Sequence, residues 1–269
     1  MQLTDTHCHI HEANLGLVSD DMTHKLWGKL DNADPDHLLS RAAQKGVTRV
    51  ICVGCTLADS QRAVDFVQNR PGTWASIGLH PHEAKDGQPA LDGLAALADK
   101  PKVVAVGEIG LDYFYGHSTP EEQQKALRFQ IELALEHNLP IIFHVREAFD
   151  DFWPIFDSYK GIRGVLHSYT DSFANFERAM ARGLYIGVNG IMTFTKVDEQ
   201  LKVAKEVPLQ KLLLETDAPF LTPKPFRGSV NEPAHVSLVT EFLADLRSES
   251  IETIATQTTK NAQTLFSLD

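Results

Sequence analysis

Two histidines, His7 and His9, stand one residue apart in the opening stretch MQLTDTHCHI. Residues at positions i and i+2 of an extended strand point to the same face, so both imidazoles reach the same side. Neutral imidazole is a common ligand of divalent metal ions, and such a pair is therefore typical of a metal site. Cys8 between them points to the opposite face, and we interpret it as a small buried apolar residue.

Further side chains that can bind metals stand where apolar runs end, as in PIIFHV, GVLHS and LLLETD. An unpaired polar group at such a place would be costly, whereas a metal ion satisfies several imidazoles and carboxylates at once. Histidine and carboxylate ligands suit Zn²⁺, Mn²⁺, Fe, Co or Ni, and Mg²⁺ less well. The ligands are enough for two ions about 3.5–4 Å apart, the spacing used in two-metal hydrolysis. The polar residues at these run ends are His7, His9, His80, Glu108, His144, His167 and Asp217.

The runs that carry these residues predict eight parallel strands, because near-continuous apolar strands are typical of sheets covered on both faces. Helical patterns separate the runs. In the helix predicted over 119–138, Thr119 caps the first turn and Pro120 suits its start. The predicted strands are 2–7, 47–54, 73–80, 102–110, 140–145, 164–169, 184–190 and 212–217. The other predicted helices are 36–45, 58–69, 90–99, 172–182, 197–206, 233–247 and 250–265.

Eight strand–helix units in 269 residues predict an α/β fold, a (β/α)8 TIM barrel with its metal site at the carboxyl ends of the strands. A doubly wound open sheet is the alternative, but the first strand leads into THCHIHE rather than a Gly-rich phosphate turn. No linker-like run divides the chain, so we expect a single domain over 1–269. The segment 10–35 is much longer than the other connections, and long loops are often lids or binding loops.

The amino-acid composition restricts the kinds of molecule that the protein is expected to bind. The formal net charge of −11 argues against a protein that wraps nucleic acid with a broad basic face. A small anionic substrate held by metal ions remains compatible with it. No apolar run approaches the about 20 residues of a membrane span, and no secretory leader is visible. We therefore expect a cytoplasmic protein with no membrane association and no obligate protein partner. The three cysteines are too few for a disulfide framework, and we interpret CVGC (52–55) as structural packing.

Seven stretches follow one another along the chain at compatible intervals. They are DTHCH (5–9), IGLHPH (77–82), VGEIGLDY (106–113), LPIIFHVREA (139–148), LLLETDAPFL (212–221), FRGSVNEP (226–233) and TTKNAQTLF (258–266). In this order they resemble the TatD family of metal-dependent hydrolases, the TatD-like DNases of the amidohydrolase superfamily, and the resemblance covers essentially the whole chain. Glu108 is the strongest discriminator, since many other amidohydrolase-type barrels bridge their metals with a carboxylated lysine on the fourth strand.

The resemblance implies a role for each metal-binding residue. His7 and His9 look like ligands of one metal ion, and His144 and His167 look like ligands of a second. Glu108 looks like the carboxylate that bridges the two ions.

The resemblance also implies how the substrate is handled. Asp217 is similar to the family's final-strand aspartate, which touches a metal and the attacking water. His80 resembles a residue near the substrate phosphate, so Asp217, Glu108 and His80 form the expected catalytic set. Arg146 and Arg227, together with His80, are expected to bind phosphate or to anchor loops.

The activity implied is that of a divalent-metal-dependent deoxyribonuclease or 3′–5′ exonuclease, in which a water activated by two metal ions attacks a phosphodiester. The expected cofactors are two ions of Zn, Mg or Mn, and the expected partners are nucleic-acid strand ends or another phosphoester substrate. A metal-dependent amidase, esterase or lactonase is the alternative, because two-metal chemistry does not by itself choose phosphorus over carbon. A barrel whose metal site is only structural is the non-enzymatic alternative.

Two departures from the family pattern concern the substrate rather than the metals. Asp171 in HSYTD stands where glycine is usual, and its carboxylate could alter the loop and repel a phosphate. The segment 10–35 is also longer than is typical of the family.

Overall fold

The computed structural model describes residues 1–14 and 21–269. Its eight strands are parallel and follow one another around the sheet in chain order. Consecutive order with a helix after each strand is the topology of a (β/α)8 barrel, which confirms the predicted fold and excludes the doubly wound alternative. The strands are β1 Leu3–Cys8, β2 Val47–Val53, β3 Thr73–Ile77, β4 Val103–Asp112, β5 Ile141–Arg146, β6 Gly164–Leu166, β7 Tyr185–Val188 and β8 Leu212–Leu214.

The first and last strands meet just beyond the end of β8. The amide of Asp217 donates a hydrogen bond to the carbonyl oxygen of His7, at 2.8 Å. The amide of His9 donates in turn to the carbonyl oxygen of Ala218, also at 2.8 Å. These two bonds close the barrel at the paired histidines and place the aspartate beside them.

The predicted start of the long helix is confirmed by its capping hydrogen bonds. Thr119 Oγ1 accepts from the amide of Glu122 at 3.3 Å, and Glu122 Oε2 accepts from the amide of Thr119 at 2.7 Å. None of the helices in the described ranges is long and apolar enough to cross a bilayer. The helices are α1 Met22–Trp27, α2 Pro35–Gln44, α3 Leu57–Val67, α4 Gly87–Ala95, α5 Pro120–Glu136, α6 Phe149–Asp157, α7 Phe173–Ala181, α8 Asp198–Glu206, α9 Val236–Arg247 and α10 Ile251–Phe266.

Two helices form where the sequence patterns predicted none. Helix α6 contains Pro154, a residue that normally interrupts a helix interior, and this hid its helical pattern. Helix α1 lies within 10–35, where Asp21 caps it by accepting from the amides of Thr23 and His24. The long connection is therefore partly helical, and its residues 15–20 lie outside the described ranges.

Two hydrophobic clusters hold the barrel together. The smaller joins strand residues such as Ile51 and Val53 with Phe266 at the end of α10. The larger packs strands against the helix layer, and it includes Cys8 and Cys52, which are fully buried and paired in register between β1 and β2. The predicted packing role of Cys8 is confirmed.

Candidate metal centre and active site

A cavity of about 650 Å³ opens at the carboxyl ends of the strands. The predicted metal ligands converge at its base, and we call this set the floor. Most of them line the cavity, while His7 lies beneath it and is fully buried. The floor consists of His7, His9, Glu108, His144, His167 and Asp217.

Glu108 lies at the centre of the floor. Its Oε2 is 3.4 Å from Nε2 of His7. Its Oε1 is 2.7 Å from Nδ1 of His144 and 2.8 Å from Nε2 of His167. The two carboxylate oxygens therefore face two different groups of imidazoles, which is the arrangement that a bridging carboxylate needs.

Asp217 stands at one side of the floor. Its Oδ1 lies 3.6 Å from Nε2 of His7 and 3.4 Å from Nε2 of His9. Its backbone adopts a φ of 60°, the left-handed region that aspartate tolerates better than most residues. The loop after β8 supports this turn, because Asn231 Nδ2 donates to the carbonyl oxygen of Thr216 at 2.9 Å.

A glycine allows the strands that carry Glu108 and His144 to approach closely. Gly110 on β4 lies directly against β5, where a Cβ atom at that position would be 1.8 Å from the carbonyl oxygen of His144. Any larger residue would force the strands apart, and the 2.7 Å contact between Glu108 and His144 would be lost.

The pKa values of the floor show groups that stabilise one another's charged forms. Burial alone would raise the pKa of Glu108, but the charges of His167, His80 and His7 outweigh it and hold the pKa well below its ordinary value. Burial would lower the pKa of His167, but the charges of Glu108 and Glu215 hold it well above its ordinary value. The carboxylate of Glu108 thus remains ionised, as metal binding requires.

His80 and Asp217 are among the other groups at the site whose pKa values are shifted. Burial lowers the pKa of His80 to about 4. For Asp217, burial would raise the pKa, but the hydrogen bond with His9 and the charge of His7 outweigh it and lower the pKa. At neutral pH the site therefore presents an ionised aspartate and an uncharged imidazole at His80.

The donor set fits divalent metal ions. Within the described part of the chain, neither ring nitrogen of the buried His7 has a hydrogen-bond partner, and Nδ1 of His167 also lacks one. Buried polar atoms normally find partners, so unpaired ring nitrogens beside carboxylates indicate a metal site. In the described residues, five groups have donor atoms within 4.8 Å of one another. Three include floor residues and a central carboxylate; they are His7–His9–Glu108, His80–Glu108–His144 and His7–His167–Glu215. The other two, His9–Cys55–Asp59 and His11–Glu12–Asp59, lie towards the insertion side of the cavity.

The first of these groups is one of the predicted ligand sets. The predicted second set, Glu108 with His144 and His167, does not form a single compact group. His144 is grouped with His80 instead, and His167 with Glu215. Both histidines nevertheless reach the same oxygen of Glu108.

The three predicted substrate contacts lie at different distances from the floor. His80 lines the cavity, with Nε2 3.6 Å from Oε1 of Glu108. Arg146 also lines the cavity and is exposed at its wall. Arg227 is exposed but does not line the cavity, and its guanidinium carbon stacks 3.4 Å from the ring centroid of Phe194.

Asp112 is a buried residue beside the floor that the sequence analysis missed. Its Oδ2 accepts from Nε2 of His82 and from Nε2 of His144, both at 3.0 Å. A carboxylate that holds one ring nitrogen of a metal-binding histidine fixes the orientation of the ring. Strand alternation could have found it, because Asp112 stands four residues after Glu108 on β4 and shares its face.

Glu215 was missed in the same way. Its Oε1 accepts from the amide of Ser168 at 2.5 Å and lies 3.4 Å from Nδ1 of His167. It directly follows Leu214, the last residue of β8, so the polar end of the apolar run in LLLETD was the available signal.

Cys55 lies at the cavity, which corrects the interpretation of CVGC as packing for this cysteine. Its Sγ is 3.7 Å from Oε2 of Glu108, whereas Cys52 is packed in the core as expected. Asp59 holds the turn by accepting from the amide of Cys55 at 2.7 Å. Because β2 ends at Val53, Cys55 has already entered the loop, where strand alternation no longer applies.

Described residues of the segment 10–35 line one side of the cavity; they are Glu12, Asp21, Thr23 and His24. Glu12 accepts a hydrogen bond from Nε of Arg62 at 2.5 Å, and Nε2 of His24 on α1 contacts its other oxygen. We call Glu12, His24 and Arg62 the insertion wall. Trp27 at the end of α1 is buried and donates from Nε1 to the carbonyl oxygen of His9 at 3.1 Å. The described residues of the long connection thus contact both Arg62 at the cavity wall and His9, one of the predicted metal ligands.

Comparisons with known proteins agree with the fold and show the family. The family model described as TatD related DNase matches residues 4–267. The chain is 37% identical over 244 residues to the 3'-5' ssDNA/RNA exonuclease TatD of Salmonella typhimurium, covering 87% of this chain and 93% of the relative. It is 36% identical over 271 residues to the metal-dependent hydrolase YcfH of Escherichia coli, covering 100% and 97%. The crystal structure of YJJV, a TatD homolog from Escherichia coli, matches with a TM-score of 0.87 at 32% identity, covering 99% and 98%.

Proposed function

Because the chain belongs to the TatD family of metal-dependent hydrolases, we propose that it is a 3′–5′ exonuclease that removes nucleotides from single-stranded DNA or RNA. The observation that carries the proposal is the central carboxylate of Glu108, whose two oxygens face separate groups of histidines. A relative that matches most of the chain bears the corresponding name.

Two divalent metal ions would be held by the floor. His7 and His9 would bind one ion, His144 and His167 the other, and Glu108 both. Zn²⁺ and Mn²⁺ suit this mixture of imidazoles and carboxylates best, with Mg²⁺ less favoured. When bound, the ions would activate water and neutralise the charge of the phosphodiester.

The other residues of the site would orient the reactants and move the proton. The carboxylate of Asp217 accepts the proton of the attacking water, since its Oδ1 already lies among the imidazoles of the floor. His80 donates a hydrogen bond to a phosphate oxygen from its place on the cavity wall. The guanidinium of Arg146 pairs with the neighbouring phosphate, and Arg227 anchors its loop against Phe194.

The volume of the cavity and the net charge of the protein favour the end of a single nucleic-acid strand over a duplex as the substrate. The cavity of about 650 Å³ has the volume of a small-ligand site. The net charge of −11 would repel a long polyanion laid across the surface. An enzyme that admits only a terminal nucleotide needs a positive field only inside the cavity, where the metal ions supply it.

The proposal is tested by reconstitution with metals. Chelator-treated protein is loaded with Zn²⁺, Mn²⁺ or Mg²⁺ singly, and the metal bound per chain is measured. Each form is then assayed on a 5′-labelled single-stranded oligonucleotide and on a panel of esters and lactones. We expect the chelated protein to be inactive and one or more metals to restore stepwise removal of 3′ nucleotides.

Two variants test whether the metal ions bind at the floor rather than elsewhere on the protein. His167→Asn should lower the bound metal by one ion per chain, while His137→Asn, a histidine paired with Asp99 on the surface, should leave it unchanged. Equal activity of the chelated and loaded forms would contradict the two-metal proposal. Turnover of an ester or lactone without cleavage of the oligonucleotide would replace the nuclease by the carbonyl-directed alternative.

A further inference from the structure

Two large aromatic side chains are exposed in the loop between β4 and α5. Phe114 is 51% exposed and Tyr115 is 53% exposed. Their rings meet edge to face, with centroids 4.8 Å apart. Aromatic rings of this size usually bury most of their surface, so an exposed pair marks a place where a ligand can cover them.

The pair is connected to the floor through a row of rings. The centroid of His82 lies 6.3 Å from that of His144 and 5.2 Å from that of Tyr115. Beyond it, His117 lies nearly parallel to Tyr115, with centroids 5.7 Å apart and an interplanar angle of 16°. Tyr115 itself lines the cavity. A flat group that leaves the floor in this direction would therefore meet the Tyr115 ring.

Arg146 places a positive charge beside the two rings. Its guanidinium carbon lies 3.8 Å from the centroid of Phe114 and 4.9 Å from that of Tyr115. Within the described ranges, no carboxylate comes within 4 Å of this guanidinium. Cation–π contact holds the side chain in place, so its charge remains available to a phosphate.

Exposed large apolar side chains are concentrated at the mouth of the barrel, where the strands end. Of the seven large hydrophobic side chains exposed in the described part of the chain, five lie in connections that follow strand ends at the mouth. These five are Met22, Phe114, Tyr115, Val197 and Phe226. Tyr115 is the one of these five that lines the cavity, and an exposed ring beside the imidazoles and carboxylates of the floor fits a ligand that carries both phosphates and flat apolar faces.

We propose that Tyr115 is a base-stacking residue, and that with Phe114 and Arg146 it holds the unpaired base and phosphate adjoining the scissile bond. This inference rests on the proposed nuclease function and names the feature of the substrate that is recognised. A base in a duplex is already stacked and paired, so its face is not available to the ring. Stacking on an aromatic side chain is tolerant of sequence, which suits an enzyme that degrades strands nucleotide by nucleotide.

The test compares Tyr115→Ala with Tyr115→Phe on two oligonucleotides. One carries ordinary nucleotides to its 3′ end, and the other has abasic residues at its last two positions. For the wild type, removing the bases should lower kcat/KM by about 5- to 100-fold, which corresponds to the free energy of stacking one base on an aromatic side chain. Tyr115→Ala should lose about the same factor on the ordinary strand and little more on the abasic one, and Tyr115→Phe should behave as wild type.

Controls distinguish stacking from disturbance of the fold. Tyr185 lies at the start of β7, away from the mouth, and its ring centroid is 4.4 Å from the ammonium nitrogen of Lys211. Tyr185→Ala should leave the ratio of kcat/KM on the ordinary and abasic oligonucleotides unchanged. Metal content and thermal unfolding are measured for every variant.

The outcomes separate the two proposals. If Tyr115→Ala keeps the wild-type ratio between the ordinary and abasic strands, the stacking role is overturned while the nuclease function stands. If the wild-type enzyme cleaves neither strand with any metal, the nuclease function is overturned and the stacking role with it. A loss confined to the strand that carries bases supports both.

Discussion

The floor and the insertion wall are both clusters of histidines and carboxylates, yet their polar atoms are satisfied in different ways. In the insertion wall, Glu12 receives hydrogen bonds from the guanidinium of Arg62 and contacts His24. Among the described residues, both ring nitrogens of His7 in the floor lack a hydrogen-bond partner, and Nδ1 of His24 in the insertion wall lacks one as well. No lysine or arginine of the described ranges lies within 4 Å of the carboxylate of Glu108.

The difference shows that residue type alone does not identify a metal site. A carboxylate already paired with an arginine has its charge balanced, and a metal ion would have to displace that partner. Buried imidazoles and carboxylates without a cationic partner leave both lone pairs and negative charge available to an ion. We therefore propose that the insertion wall stabilises the fold and that the floor binds metal ions.

The largest effect that the comparison predicts is the loss of activity in Asp217→Asn. Asparagine keeps the shape of the side chain but cannot accept the proton of the attacking water. We expect kcat/KM to fall by at least about 100-fold, the lower end of what a general base contributes. The measurement is turnover of the single-stranded oligonucleotide by metal-loaded protein.

Asp36→Asn is the matched control for this change. Asp36 is also an aspartate, but it lies on the surface and pairs with Arg70. The control should keep full activity. If Asp217→Asn turns over as fast as the wild type, the site is not catalytic in the proposed way, and the structural-metal alternative gains support.

The next effect concerns the insertion wall. In Glu12→Gln the buried carboxylate is lost, and the guanidinium of Arg62 is left with the more distant carboxylate of Asp59, 3.8 Å from Nη2 to Oδ1. We expect the free energy of unfolding to fall by about 3 kcal/mol, as measured by chemical denaturation. The metal content should not change, because the insertion wall is not part of the floor.

Glu206→Gln, an exposed glutamate at the end of α8, provides the reference and should change stability by less than about 0.5 kcal/mol. Loss of metal from Glu12→Gln at unchanged stability would remove the distinction between the two clusters.

The smallest effect is a pH dependence in the loop after β8, a third buried cluster that is also internally paired. Nδ1 of His235 lies 2.8 Å from Oδ1 of Asn231, and Glu232 and Arg41 complete its surroundings. Burial, followed by the charge of Arg41, lowers the pKa of His235 from 6.5 to about 4. The unfolded chain therefore binds this proton more readily than the folded protein below pH 6.5, and stability falls as the pH falls through that range.

His235→Gln removes this titration. Between pH 7 and pH 5 the wild type should lose about 2 kcal/mol more stability than the variant, read from urea midpoints at the two pH values. The raised pKa of Glu232, which burial causes, is present in both proteins and drops out of the difference. Parallel pH profiles would show that His235 does not hold a depressed pKa in the folded state.

Local patterns were sufficient to predict the barrel and most of the floor. Near-continuous apolar runs with polar ends specify parallel strands whose carboxyl ends meet, because the sheet must be covered on both faces. They failed for α6, where Pro154 concealed the pattern, and for Cys55, which lies just beyond the last residue governed by strand alternation.

The amino-acid sequence by itself therefore determined the topology and the residues that stand at the strand ends, since both follow from short-range alternation of polar and apolar side chains. Only the tertiary structure decided which oxygen of Glu108 faces which histidines, and that Arg146 lines the cavity while Arg227 stacks on Phe194. It also decided that Glu12 is neutralised by Arg62, while the ring nitrogens of His7 have no hydrogen-bond partner among the described residues. These outcomes depend on strand register and on loops that join residues far apart in the chain, and no local pattern encodes them.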